Sequence, residues 1–294
     1  MTPYEEVRSR VPPERLVEAA GQTVYVEDRP AETALESAET VVLLHGFGAS
    51  SYSWRRVTGE LAGYRTVALD LRGFGYTERP PGIEPYTRQG QIDLVLAVMD
   101  ELGIDRAHLV GHSYGGALAA TLAARRPERV RSLTLVDAAH PEYPQRRRTR
   151  LASVRPLTEL FIRVRALRPR LIRRALERSI ADDSVVTDEL VDAYAERLAI
   201  EHAPRAYYGI TAPVEEPEEE ISLGQVPVPT LVLWGEEDTL ITVEEGREAS
   251  RVIPCHRFVT IPGAGHLPME ERPAELAEAL REFLHRPERV CDAP

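Results

Sequence analysis

The sequence predicts an α/β protein with a mostly parallel central sheet flanked by helices and an inserted helical cap. Three observations lead there. Short apolar runs suited to buried strands alternate with stretches patterned as helices. The runs at 41–45 and 107–111 lead straight into glycine-containing turns. The alternation stops between about 139 and 226 and then resumes. The expected organisation is therefore a core in two parts, 1–138 and 227–294, interrupted by a cap over 139–226.

The elements follow in order. Residues 23–28 (TVYVED) alternate and read as an early strand, and 41–45 (VVLLH) form a run apolar on both faces. Residues 66–70, 107–111, 130–136, 229–235 and 256–261 repeat that theme. Helical stretches fall near 52–62, 88–102, 114–125, 242–252 and 272–285. Inside the insert, Leu157, Leu160, Phe161, Val164, Leu167, Leu171, Ile172, Ala175, Leu176 and Ile180 recur at helical spacing. Pro156 and Pro169 bound or kink these helices. A further helix is expected over 187–202. The acidic run from Glu215 to Glu220, with Pro213 and Pro217, reads as a solvated loop back to the sheet.

Composition sets the limits. A chain of 294 residues with 43% hydrophobic and 28% charged residues buries a sizeable core without staples. Its net charge of -11 argues against nucleic-acid binding, which favours basic domains. No run approaches a membrane span, and Met1 to Arg15 lacks the apolar stretch of a signal peptide, so a cytoplasmic protein is expected. Cys255 and Cys291 are read as free thiols, because the second lies close to the end of the chain. The chain has no Lys and no Asn. A GC-rich genome accounts for both, and a thermophilic source is the alternative.

Gly111-His112-Ser113-Tyr114-Gly115 lies between an expected strand and an expected helix, the context required of a nucleophile elbow. A serine needs a base, and the base needs an orienting acid. Downstream, Asp238 follows one strand and His266, among small residues, follows the last. Both fall at strand C-terminal ends, where open α/β sheets place their sites. Glu236 and Glu237 are rival acids, because loop register is open. His112 is read as packing beside Ser113, and His108 as part of a strand. His140, His202, His256 and His285 are read as surface or structural residues. In His45-Gly46-Phe47-Gly48 the glycines free the backbone to aim N–H groups inward. The expected oxyanion hole is the N–H of Phe47 with that of Tyr114, and His45 is expected to brace the loop.

The segments VVLLHGFGAS, LDLRGFGYTERP, LVGHSYGGALA, LVLWGEEDTLI and IPGAGHLPMEERP together resemble the α/β-hydrolase superfamily, in particular its esterase, lipase and haloperoxidase-like members. The resemblance covers about residues 23–138 and 227–285. It implies an α/β-hydrolase fold and places Asp70, Arg72, Gly73 and Gly75 in a structural turn. Members that are epoxide hydrolases or haloalkane dehalogenases carry Asp in the elbow, where this chain has Ser113. Members that cleave carbon–carbon bonds often have Trp after the histidine, where this chain has Leu267.

The expected function is hydrolysis of a small-molecule carboxylic ester with a hydrophobic acyl group. Ser113, His266 and Asp238 form the triad, an acyl-enzyme is the intermediate, and no metal or organic cofactor is needed. Alternatives are a perhydrolase or haloperoxidase-like acceptor choice, a carbon–carbon bond hydrolase, and a ligand receptor that does not turn over. One segment stands apart: residues 146–178 hold 12 Arg and two acids. Three readings are open: an Arg face pairing with the acidic core, a surface approaching anionic lipid, or recognition of an anionic substrate.

Overall fold

The structure, a computed structural model, describes residues 4–32, 38–139, 168–200 and 221–291. Among the described residues, eight strands form one sheet: β1 (Leu16–Ala19), β2 (Gln22–Arg29), β3 (Thr40–Leu44), β4 (Arg65–Leu69), β5 (Ala107–His112), β6 (Val130–Val136), β7 (Thr230–Gly235) and β8 (His256–Ile261). Their spatial order is β1-β2-β4-β3-β5-β6-β7-β8. The first two strands pair antiparallel, as do β2 and β4, and every other pairing is parallel.

The helices among the described residues are α1 (Tyr4–Arg8), α2 (Arg55–Thr58), α3 (Arg88–Glu101), α4 (Tyr114–Arg125), α5 (Arg168–Glu177), α6 (Asp188–Leu198), α7 (Val243–Ser250), α8 (Pro268–Glu271) and α9 (Pro273–His285). The sheet packs on both faces. Apolar residues of α3 and α4, such as Val95, Val98, Leu118 and Leu122, join one core cluster. The other gathers Val57 of α2, Leu276 and Leu280 of α9, and Ile172, Leu176, Leu190 and Tyr194 of α5 and α6. This two-sided burial is why β3 to β7 read as continuous apolar runs.

β1 has no counterpart in the sequence expectation. It is four residues long and half exposed, so it carries little periodicity. The hairpin to β2 turns on Ala20 at φ 51 and Gly21 at φ 70, and that Gly was the available signal. The stretch near 52–62 forms helix in three short pieces rather than one.

Between β6 and β7 the described residues hold α5 and α6. Thr187 caps α6 by accepting from Leu190 N. Pro169 stands in the first turn of α5, where its missing N–H costs nothing. Residues 146–167 of the basic segment, with Pro156 and the apolar positions from Leu157 to Leu167, lie outside the described residues. So do His140, His202 and the acidic run 213–220. In the described part, Arg173 pairs with Asp188 inside the insert itself, and Arg170, Arg174 and Arg178 are exposed.

The two cysteines are not free. Cys255 and Cys291 form a disulfide, with Cα atoms 4.7 Å apart. The reason is a match of lengths. The six residues of β8 advance the chain about 20 Å. The 13 residues of α9 return it about 20 Å, to the level where β8 began. Nearness to the chain end concealed this. Such a bridge is rare in a reducing cytoplasm.

Replacing both cysteines by serine should remove about 2–4 kcal/mol of stability, as expected for a closed loop of this size. Thermal unfolding should then shift down by roughly 3–6 °C. An unchanged midpoint, with and without reductant, would show that the bridge contributes nothing.

Candidate active site

The sheet order changes direction between β3 and β5, because the chain goes from β3 to β4 on one side and then to β5 on the other. Such a switch point opens a crevice at the strand C-terminal ends. Two of the predicted motifs meet there: His45 to Gly48 leaves β3, and Ser113 leaves β5.

Ser113 lies at φ 49, ψ -115, a strained conformation for a residue with a side chain. Its backbone is fixed on all sides. The Ser113 N–H donates to Val136 O at 3.0 Å, and its carbonyl accepts from Gly116 N at 3.0 Å and Ala139 N at 2.9 Å. The flanking glycines are required by close approach. A Cβ on Gly111 would stand 2.5 Å from Gly115 O, and one on Gly115 would stand 2.5 Å from Leu44 O.

His266 comes up beside Ser113 from the loop after β8. Its Nε2 is 3.0 Å from Ser113 Oγ. Its Nδ1–H donates to Asp238 Oδ2 at 2.7 Å. Asp238, in the loop after β7, is buried, and its other oxygen accepts from Leu240 N at 2.8 Å and Ile241 N at 3.1 Å. Those N–H bonds fix the carboxylate, which fixes the imidazole tautomer. Glu236 and Glu237 are exposed, so burial separates the three candidate acids that the sequence left open.

His45 is fully buried. It accepts from Leu71 N at Nε2 (3.0 Å) and donates from Nδ1 to Gly46 O (2.7 Å). Burial holds its pKa below the ordinary value against the pull of Asp70, and the ring ties the loop to the turn that follows β4. Ala49 N–H closes that loop on Gly46 O at 3.2 Å, with Gly48 at φ 76. The Phe47 ring packs edge-on to Phe74 and Tyr114, at centroid distances of 5.5 and 6.5 Å. Asp70 accepts from Ser51 N and Tyr76 N, each at 2.7 Å, and so braces the same loop.

His112 turns away from Ser113. Its Nε2–H donates to the His266 carbonyl at 2.7 Å, and burial with His266 alongside pushes its pKa well down. It thus supports the His266 main chain. His108 sits in β5 between Ser132 and Glu39.

Two acids escaped the sequence reading. Asp137, at the end of β6, is fully buried, and its carboxyl group lies against Asp238 and His266: one polar atom from each falls within 4.8 Å of the others. The available signal was an acid ending an apolar parallel strand. Both ring nitrogens of His266 are already engaged, so the cluster is poorly suited to a cation.

Glu271 is the other. It accepts from Gly265 N at 2.7 Å, and from Ala181 N and Asp182 N at 2.6 and 3.2 Å. His266 N–H also donates to Ser179 O at 2.7 Å. The insert is thereby pinned to the residues around His266. No pattern in the sequence marks Glu271 for this.

Glu271→Gln would turn an amide NH2 toward one of these backbone N–H donors. The expected cost is about 1.5–3 kcal/mol of stability, the worth of hydrogen bonds to a charged acceptor. Turnover should fall with it, because Gly265 precedes His266. Denaturant unfolding and kcat, measured together, check both; no change in either would deny Glu271 this role.

A cavity of about 760 Å³ lies between α6 and strands β2 and β4, lined by Tyr25, Tyr52, Tyr76, Arg55 and Arg197 among others. Ser113, Asp238 and His266 are not among its described lining residues.

The strand order, the strained serine turn and the histidine loop define one class of protein, and the chain belongs to the α/β-hydrolase fold family, whose model matches residues 39–273. Among its relatives, epoxide hydrolase 3 of Xenopus tropicalis is 31% identical over 83% of this chain and 71% of its own length. The 2-hydroxymuconate semialdehyde hydrolase of Pseudomonas sp. strain CF600 is 30% identical over 83% of this chain and 86% of its own. A solved thermophilic esterase from Thermogutta terrifontis is 26% identical with a TM-score of 0.75, covering 93% of this chain and 98% of that one. Among the described residues, no helix is long and apolar enough to cross a membrane.

Proposed function

We propose that the protein is a serine hydrolase of carboxylic esters, acting through Ser113, His266 and Asp238. One observation carries this reading: the unbroken chain from Ser113 Oγ to His266 (3.0 Å) to Asp238 (2.7 Å). Ser113 Oγ attacks the ester carbonyl while His266 Nε2 takes its proton. Asp238 holds the imidazole and stabilises the imidazolium. The backbone N–H groups of Phe47 and Tyr114 receive the oxyanion. His266 returns the proton to the departing alcohol, leaving an acyl-enzyme. It then activates a water to release the acid. Residues 139–226 act as the cap, and its apolar residues favour a hydrophobic acyl group. No cofactor takes part.

A nucleophilic serine also separates this reading from epoxide opening, for which the resemblance implies an elbow aspartate. The esterase named above supports the ester reading. The test is hydrolysis of a 4-nitrophenyl ester series from acetate to palmitate. Multiple turnover, with an initial burst of nitrophenol, is expected, and the best chain length sizes the pocket. No turnover at any length would overturn the proposal. The relative named for 2-hydroxymuconate semialdehyde favours a second reading, carbon–carbon bond hydrolysis on the same serine. Turnover of that compound well above the best ester would favour it.

A further inference from the structure

The chain carries two acids behind His266 where one suffices. Asp238 leaves β7, and Asp137 leaves the neighbouring strand β6. Asp137 stands at φ 42, uncommon for a residue with a side chain, with its N–H donating to Leu233 O at 3.0 Å. Its Oδ1 accepts from Gly235 N at 2.8 Å, which ties the ends of β6 and β7 together. Its Oδ2 is buried and finds no donor among the described residues. The groups packed around it supply none. Asp238 spends Oδ1 on two backbone N–H groups and Oδ2 on His266. Among the described residues, the charged groups that bear on Asp137 are Asp238 and Glu271, both acids. The two histidines of the cluster have no N–H to spare: His266 spends its Nδ1–H on Asp238, and His112 spends its Nε2–H on the His266 carbonyl, leaving its Nδ1 a bare acceptor.

We propose that Asp137 donates a hydrogen bond from its carboxylic acid to the Asp238 carboxylate, so that a pair of acids sharing one proton positions His266. Two carboxylates this close, buried and with no cation against them among the described residues, do not both ionise. A proton on Asp137 Oδ2 turns an orphaned acceptor into a donor and satisfies the atom. The direction of titration agrees: burial, and then Asp238 alongside, push Asp137 well above the usual carboxylate range. Asp238 is the acceptor of the pair, because Leu240 N–H, Ile241 N–H and His266 Nδ1–H already point hydrogens at its two oxygens. Asp137 is therefore a positioning residue, acting through Asp238. Its kinetic effect rests on the triad acting as proposed above; the shared proton does not.

Carboxyl 13C NMR of Asp-labelled protein tests the proton directly, in the wild type and in Ser113→Ala. One aspartic acid should remain protonated from about pH 6 to 8, far above the ordinary value of about 3.9. That resonance should vanish in Asp137→Asn and persist in Ser113→Ala, whatever the substrate proves to be. An Asp complement fully ionised at about pH 7, or a protonated resonance that survives Asp137→Asn, would overturn the proposal. Kinetics supply the second arm. Asp137→Ala should lower kcat by about tenfold or more, the scale of a lost hydrogen bond to a charged group. Asp137→Asn keeps an N–H donor toward Asp238 and an acceptor toward Gly235, and should recover most of that loss. If Asn is as impaired as Ala, or if EDTA abolishes wild-type activity, the shared-proton account is wrong.

Discussion

Ser113→Ala should lower kcat/KM on the best ester by about 10⁴–10⁶-fold while leaving the protein folded. The magnitude follows from the proposed nucleophile. Without Oγ, His266 has no proton to take and no acyl-enzyme forms, so what remains is binding and oxyanion stabilisation by the backbone. The fold should survive because Ser113 holds the elbow through its main chain. Its N–H bond to Val136 and its carbonyl bonds to Gly116 and Ala139 involve no side-chain atom. Alanine meets the same penalty at φ 49 as serine does. A melting temperature within a degree or two of the wild type, alongside the lost turnover, would assign the loss to chemistry. Wild-type turnover in the mutant would move the nucleophile to another residue.

Much of this site was legible in the sequence, and for definite reasons. A strained turn between a buried strand and a helix needs small residues, so Gly111 and Gly115 mark it wherever the rest of the chain goes. Ser113, Asp238 and His266 each follow a strand, and parallel strands deliver their C-terminal ends to one edge. Long-range features were legible only where a local pattern accompanied them. Glu271 bridges the His266 loop and the insert, a contact made by tertiary packing alone. The disulfide depends on the matched lengths of β8 and α9, which spacing between cysteines does not reveal. Asp137 was hidden by its strand: an apolar run ending in an acid reads as the strand terminus, and its neighbour in space lies about a hundred residues away, at Asp238.

His266→Ala is expected to be as damaging as Ser113→Ala, with a loss of about 10⁴–10⁶-fold, and the double mutant is expected to be no worse than either single one. Non-additivity is the informative part. If serine and histidine act as one unit, removing the first member removes the benefit of the second, so their logarithmic losses overlap rather than sum. The loop should keep its place without the imidazole, because its anchors are main-chain atoms. His266 N–H donates to Ser179 O, and the His266 carbonyl accepts from His112. Glu271 holds Gly265 independently. Removing the ring leaves Asp238 without its Nδ1 partner, but both backbone N–H bonds to its other oxygen remain, so a modest fall in stability is expected rather than unfolding. Single-turnover rates for the two single mutants and the double mutant decide the matter. Losses that multiply would mean that Ser113 and His266 contribute separately, which a nucleophile and its own base cannot do.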